Sequence, residues 1–171
     1  MNLAPGLKRI LSAPFILALF ATAFATPFTT GSASAAPPCL EKNGVEVRAG
    51  NEQVLRWKSS TPNQFLSRAH VSGTIQNLYP DRNGHSHFQI KIGPGPGDTI
   101  ELVYNLSFGT IPRLIPGAHA EACGDYITSN APTQNYEPSP DGAIVHWIHR
   151  SRNPARHPSG YLELDGTLYG N

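Results

Sequence analysis

The stretch His85-Ser86-His87-Phe88-Gln89-Ile90-Lys91-Ile92, followed by Gly93-Pro94-Gly95-Pro96-Gly97-Asp98 and Thr99-Ile100-Glu101-Leu102-Val103-Tyr104, decides the fold class. Phe88, Ile90 and Ile92 alternate with His85, His87, Gln89 and Lys91, the period of a strand with one apolar and one polar face. The Gly/Pro segment fits neither a helix nor a central strand. Thr99 to Tyr104 alternates again, with Ile100, Leu102 and Tyr104 on one side, so the whole reads as a hairpin. Its polar face carries His85 and His87 about 7 Å apart at strand rise, while Ser86 faces the apolar side.

Working outward toward the N-terminus, Pro80-Asp81-Arg82-Asn83-Gly84 reads as a turn, and Arg68 to Tyr79 as a strand with Gly73 as a candidate bulge. Asn51 to Lys58 forms one short helix, with Asn51 as its N-cap and Val54, Leu55 and Trp57 as a partial apolar face. Toward the C-terminus, Asn105 to Gly117 is a loop, His119 to Tyr126 a short strand, and Ser129 to Asp141 a Pro/Asn/Ser-rich surface insertion. Ala143 to His149 reads as a strand in which Ile144, His146 and Ile148 face the core and Val145, Trp147 and His149 face away. A basic loop follows, then a hairpin from Tyr161 to Tyr169 turning at Asp165-Gly166. This pattern predicts an all-β domain, a small five- to six-stranded OB-like barrel with one short N-terminal helix; a two-sheet sandwich is the alternative.

The chain begins with the pattern of a secretory signal over residues 1–35. Lys8 and Arg9 precede an apolar run from Ile10 to Phe24, and Ala33-Ser34-Ala35 or Ala23-Phe24-Ala25 offers a small-x-small cleavage site. Residues 36–64 then form an arm bearing the helix, and 65–171 the β-domain. No later stretch is apolar enough to span a bilayer. Export to a secreted or periplasmic location suits the two cysteines, Cys39 and Cys123, as one disulfide tying the arm to the domain. A formal net charge of +1 excludes a protein that coats nucleic acid by overall charge, and leaves a local basic patch open.

The chain resembles the domain of unknown function 3465 family, small exported bacterial proteins, from about His70 to Tyr169. The carrying residues are Gly84-His85-x-x-Phe88, Asn105, Gly117-Ala118-His119, Gly124-Asp125-Tyr126, His146-Trp147-Ile148-His149 and Arg156-His157-Pro158-Ser159-Gly160-Tyr161. It departs from the family pattern at His87, where that pattern has Arg, at Tyr104, where it has His, and at Arg150-Ser151, where it has His-Asp. The resemblance implies an exported one-domain protein and carries no activity with it.

Five of the seven histidines, together with Trp147, Arg150, Arg152 and Arg156, fall in His85–His87 and His146–His157. Arginine forks and histidine suit phosphate or carboxylate, and Trp147 and Tyr161 offer rings for stacking a base or a sugar. The leading expectation is therefore a binding module for an anionic ligand such as a nucleotide, single-stranded oligonucleotide or phosphorylated glycan. His85, His149, Arg156, His157 and Trp147, with Asn105 from the resemblance, would contact that ligand. The rival is a phosphodiester hydrolase using the same residues, histidine serving as both acid and base near neutral pH. A divalent metal, zinc or manganese, on His85, His87 and His149 is its metal-assisted form. A structural envelope protein whose histidines only pack is the third expectation.

Overall fold

A computed structural model of the chain describes Met1 and residues 36–170; the signal segment expected within residues 1–35 lies outside the described residues apart from Met1. Helix α1 (Asn51–Ser60) is followed by strands β1 (Leu66–Arg82), β2 (His85–Lys91), β3 (Thr99–Asn105), a 3-10 turn (Leu106–Phe108), β4 (His119–Thr128), β5 (Ala143–His146), β6 (Tyr161–Leu164) and β7 (Thr167–Tyr169). The described strands form one seven-stranded sheet in the order β1-β2-β3-β5-β4-β6-β7, not two packed sheets. A further pairing of β1 with β4 closes β1, β2, β3, β5 and β4 into a ring of five.

The ring closes because β1 is long enough to serve two neighbours. Leu66 to Thr74 pairs with β4 and Thr74 to Arg82 with β2, so Thr74 faces both His119 and Lys91. Gly73 sits at this handover, where a Cβ would lie 2.1 Å from the Lys91 carbonyl oxygen. The site expected as a bulge is thus a close backbone approach that only glycine permits. The strand also runs through Pro80 to Arg82, with irregular register between Tyr79 and Arg82; the tight turn is only Asn83-Gly84, both at positive φ.

The apolar alternation of β2 and β3 points into the ring. Phe88, Ile90, Ile100, Leu102 and Tyr104 are fully buried there with Val71, Ile75, Tyr126, Val145 and Leu162. Each such aliphatic or aromatic side chain contributes about 1.5–3 kcal/mol by leaving water. Val54 of α1 joins this core, and Trp57 packs against Phe65 and Tyr126 at ring-centre distances of 5.9 and 5.3 Å. The helix begins one residue earlier than an Asn51 cap requires: Gly50 is the N-cap, and the Asn51 side chain bonds the Ser72 backbone.

The disulfide between Cys39 and Cys123 ties the arm to β4, as the two cysteines predict. Arg68 reinforces the junction, donating to Asp125 at 2.8 Å, to the Leu40 carbonyl at 3.1 Å and to the Ser159 carbonyl. No described helix is long and apolar enough to cross a membrane.

Candidate functional site

β3 is buried on both faces. One face belongs to the ring core; the other lies under the segment between β4 and β5, and the residues responsible are polar. Ser139 donates to Glu101 Oε2 at 2.6 Å, and Asp141 accepts from Gln89 and Thr99, each at 2.5 Å, and from the Tyr79 hydroxyl at 2.9 Å. The expected surface insertion 129–141 is therefore anchored by two buried residues at its C-terminal end, Ser139 and Asp141.

Beneath this anchor the polar face of β2 meets β3. Register sets Gln89 opposite Glu101 and His87 opposite Val103, so His87 and Glu101 are diagonal neighbours. His87 Nδ1 donates to Glu101 Oε1 at 2.6 Å, and Arg82 Nη2 approaches the same oxygen at 3.4 Å. Arg82 lies equally far from His87 Nδ1, but that nitrogen cannot both accept from Arg82 and donate to Glu101, and the shorter contact governs. Glu101 is 1% exposed. Burial pushes its carboxyl upward, but hydrogen bonds from His87 and Ser139 and the charges of His87 and Arg82 outweigh that and hold it below the ordinary carboxylate range.

His85 donates Nδ1 to the Asn83 carbonyl at 2.9 Å. Its ring lies 6.4 Å from His87 and 5.2 Å from His146, and His146 stacks on Trp147 at 4.5 Å. Arg82, His85, His87, His146 and Trp147 all line one cavity of about 520 Å³, walled on the far side by Asn135, Tyr136 and Glu137 of the β4–β5 loop. His146 is held neutral at pH 7: burial, and then the neighbouring histidines His85, His149, His87 and His157, lower its pKa to about 4.

The alternation expected for Ala143 to His149 fails after His146, where β5 ends. Trp147 adopts φ 52°, a left-handed conformation unusual for a bulky residue. The chain must leave the edge of β4 here, because β5 occupies that edge at Asp125–Thr128 and β6 occupies it at Ala120–Cys123. The kinked backbone packs on Gly160, where a Cβ would lie 2.4 Å from the Trp147 carbonyl oxygen. Within β5 Ala143 and Val145 face the core and Ile144 and His146 the cavity wall, the reverse of the expected faces, and the kink then returns Ile148 to the core.

The expected ligand-binding residues divide into separate places. His85 and Trp147 line the cavity; His149 is 4% exposed, donates Nδ1 to the Arg150 carbonyl at 2.9 Å and stacks on Phe108 at 3.7 Å. Burial lowers its pKa. His157 bridges the groups, 5.5 Å from Trp147 and 6.2 Å from His149 by ring centres, whereas Arg156 is exposed on the loop. Asn105 pairs with His85 in the ladder but uses its side chain to accept from the Ser107 backbone. Among the described residues no three His, Cys, Asp or Glu side chains form a metal-holding group, so His85, His87 and His149 do not converge as a ligand set.

Arg82, Glu101, His146 and Tyr136 are among the lining residues that reading along the chain did not place in the site. Glu101 was findable from the hairpin itself, since two antiparallel strands with matched parity must bring a β3 acid beside the β2 histidines. A second cavity, between the arm and the loop after β5, is lined by Pro37, Pro38, Pro158, Arg150 and Tyr161 and has no histidine in its wall. No family model matches the chain, and no curated protein is significantly similar to it.

Proposed function

We propose that the chain is an exported binding module that takes a nucleotide or short single-stranded oligonucleotide in the cavity on the outer face of β2 and β3. The observation that carries this reading is that a ring stack, His146 on Trp147, and the half-exposed Arg82 line one cavity of nucleotide size. Stacking is indifferent to which base is present, and the guanidinium supplies a forked donor for phosphate. Two acids line the cavity: Glu101 is engaged by His87, Ser139 and Arg82, and Glu137 lies exposed at the rim.

The same reading includes an OB-type barrel. Its support is the strand order, with β3 parallel to β5 and β1 shared between β2 and β4, and the cavity's position on strands 2 and 3 between the β1–β2 turn and the β4–β5 loop. Barrels of that type bind oligonucleotides and oligosaccharides on this face. Export is supported by the disulfide together with the signal pattern in the sequence. Membership of the domain of unknown function 3465 family rests on the quoted residues.

Tryptophan fluorescence tests the reading. The chain has two tryptophans, and Trp57 packs against the core and does not line the cavity, so quenching that disappears in Trp147→Phe reports the cavity. Titration of the oxidised protein with single-stranded oligonucleotide should quench Trp147 saturably, and Arg82→Ala should weaken the titration. Quenching that is absent, or unchanged by Arg82→Ala, overturns the assignment.

A further inference from the structure

We infer that this cavity also cuts single-stranded RNA by transphosphorylation, with His85 as general base and His87 as general acid; the inference rests on the oligonucleotide reading above. The evidence lies in how each ring is held. His85 Nδ1 faces the Asn83 carbonyl, an acceptor only, so Nδ1 carries the hydrogen and the lone pair is on Nε2. His87 Nδ1 faces the Glu101 carboxylate, which orients the ring and offsets the charge of an imidazolium whose Nε2–H is the acid. Both rings line the cavity from one strand face with centres 6.4 Å apart, a spacing that fits one phosphodiester between them.

The step needs no co-reactant beyond the substrate. His85 Nε2 takes the proton from the ribose 2′-hydroxyl, and the 2′-oxygen forms a bond to phosphorus. The P–O5′ bond breaks as the departing O5′ takes a proton from His87 Nε2, leaving a 2′,3′-cyclic phosphate. An in-line displacement needs one nitrogen at the entering and one at the leaving oxygen, and rings 6.4 Å apart leave room for the phosphorus between them. Arg82, beside Glu101, is placed for the non-bridging oxygens, and the His146–Trp147 stack holds the adjoining base. His146 is itself a poor base because burial, and then the neighbouring histidines, disfavour its charged form, which leaves the proton transfers to the strand pair.

The oxidised protein is incubated, in chelator, with a short single-stranded oligonucleotide made either of ribose or of deoxyribose, and binding and cleavage are read separately. RNA should be cut to fragments ending in 2′,3′-cyclic phosphate, identified by mass spectrometry, while DNA is bound and left intact. His85→Ala, which removes a ring held by a single backbone contact, should lower the cleavage rate roughly 10²–10⁴-fold with binding retained. His87→Gln, which keeps a donor for Glu101, should do the same, and Arg113→Ala, exposed and outside the cavity wall, should cut at the normal rate. RNA bound but not cut, cut at the unmutated protein's rate by either histidine variant, or cut only without chelator overturns this inference and leaves the binding reading standing. Failure to bind either strand overturns both.

Discussion

Two His–Glu pairs stand in this protein, and they differ in what surrounds them. His87 and Glu101 meet at 2.6 Å, and His70 and Glu121 at 2.8 Å. In the second pair His70 Nδ1 faces the Val47 carbonyl of the arm at 3.1 Å, and the Tyr161 hydroxyl donates to Glu121 at 2.8 Å. In the ladder His70 and Tyr161 flank Cys123, whose disulfide fastens the arm. Both imidazole nitrogens of that pair and Glu121 Oε1 are thereby committed to holding arm and sheet together. The first pair has one imidazole nitrogen turned to a cavity. An imidazole fixed by a carboxylate is a staple when its second nitrogen is engaged and a reagent when it is open.

Acid should produce the largest effect, on the cavity side of this contrast. Unfolded, His146 titrates near 6.5, and folded near 4, so the unfolded chain binds more protons across that window. Its contribution is complete above about pH 6.5 and is lost as pH falls toward 4, up to about 3 kcal/mol, with buried His149 adding in the same direction. Glu101 and Glu121, both held below the ordinary 4.5, add a later loss as pH falls through their own range. Denaturant melts from pH 7 to 4 should show the decline, and His146→Asn should flatten its upper part; an unchanged slope refutes a neutral, buried His146.

Next in size is the exchange of the pairs themselves. His87→Ala strips a partner from a buried carboxylate and should cost about 3 kcal/mol, with loss of oligonucleotide affinity as well. His70→Ala, beside the more exposed Glu121, should cost about 1–2 kcal/mol and leave affinity unchanged. Equal affinity losses in the two variants would erase the distinction between staple and reagent. Arg82→Ala should weaken oligonucleotide binding about tenfold, close to 1.4 kcal/mol, with little change in melting. The smallest effect is expected from Glu137→Gln at the rim, a roughly twofold to threefold gain in affinity that fades with added salt. A loss of affinity there would mean that Glu137 contacts the ligand.

Alternation along β2 and β3, turn chemistry at Asn83-Gly84 and Asp165-Gly166, and the cysteine count made most of the fold legible, because each is a local property of the chain. What local pattern could not express was closure. The double pairing of β1 depends on Gly73 meeting Lys91, a contact between residues whose proximity no periodicity encodes. The site was legible in part for the same reason. His85 and His87 belonged to a regular strand and were placed correctly on its polar face, whereas His146 and His149 lay at a strand end that Trp147 kinks. Arg150, Arg152 and Arg156, the most conspicuous charges in the chain, are exposed on the loop after the kink. Their density marked a region and not its chemistry.

The manner in which the β4–β5 loop is fastened has a consequence for how such a protein changes over time. Among the described residues Ser139 and Asp141 make the loop's side-chain hydrogen bonds to β2 and β3, while Asn135, Tyr136 and Glu137 line the cavity without taking part in them. The wall can therefore be rewritten in sequence or length while the strand bearing His85 and His87 beneath it stays as it is. Lineages that keep the two anchors are free to diverge in the ligand they accept, and a library randomised only at 135–137 would explore that freedom on one unaltered scaffold.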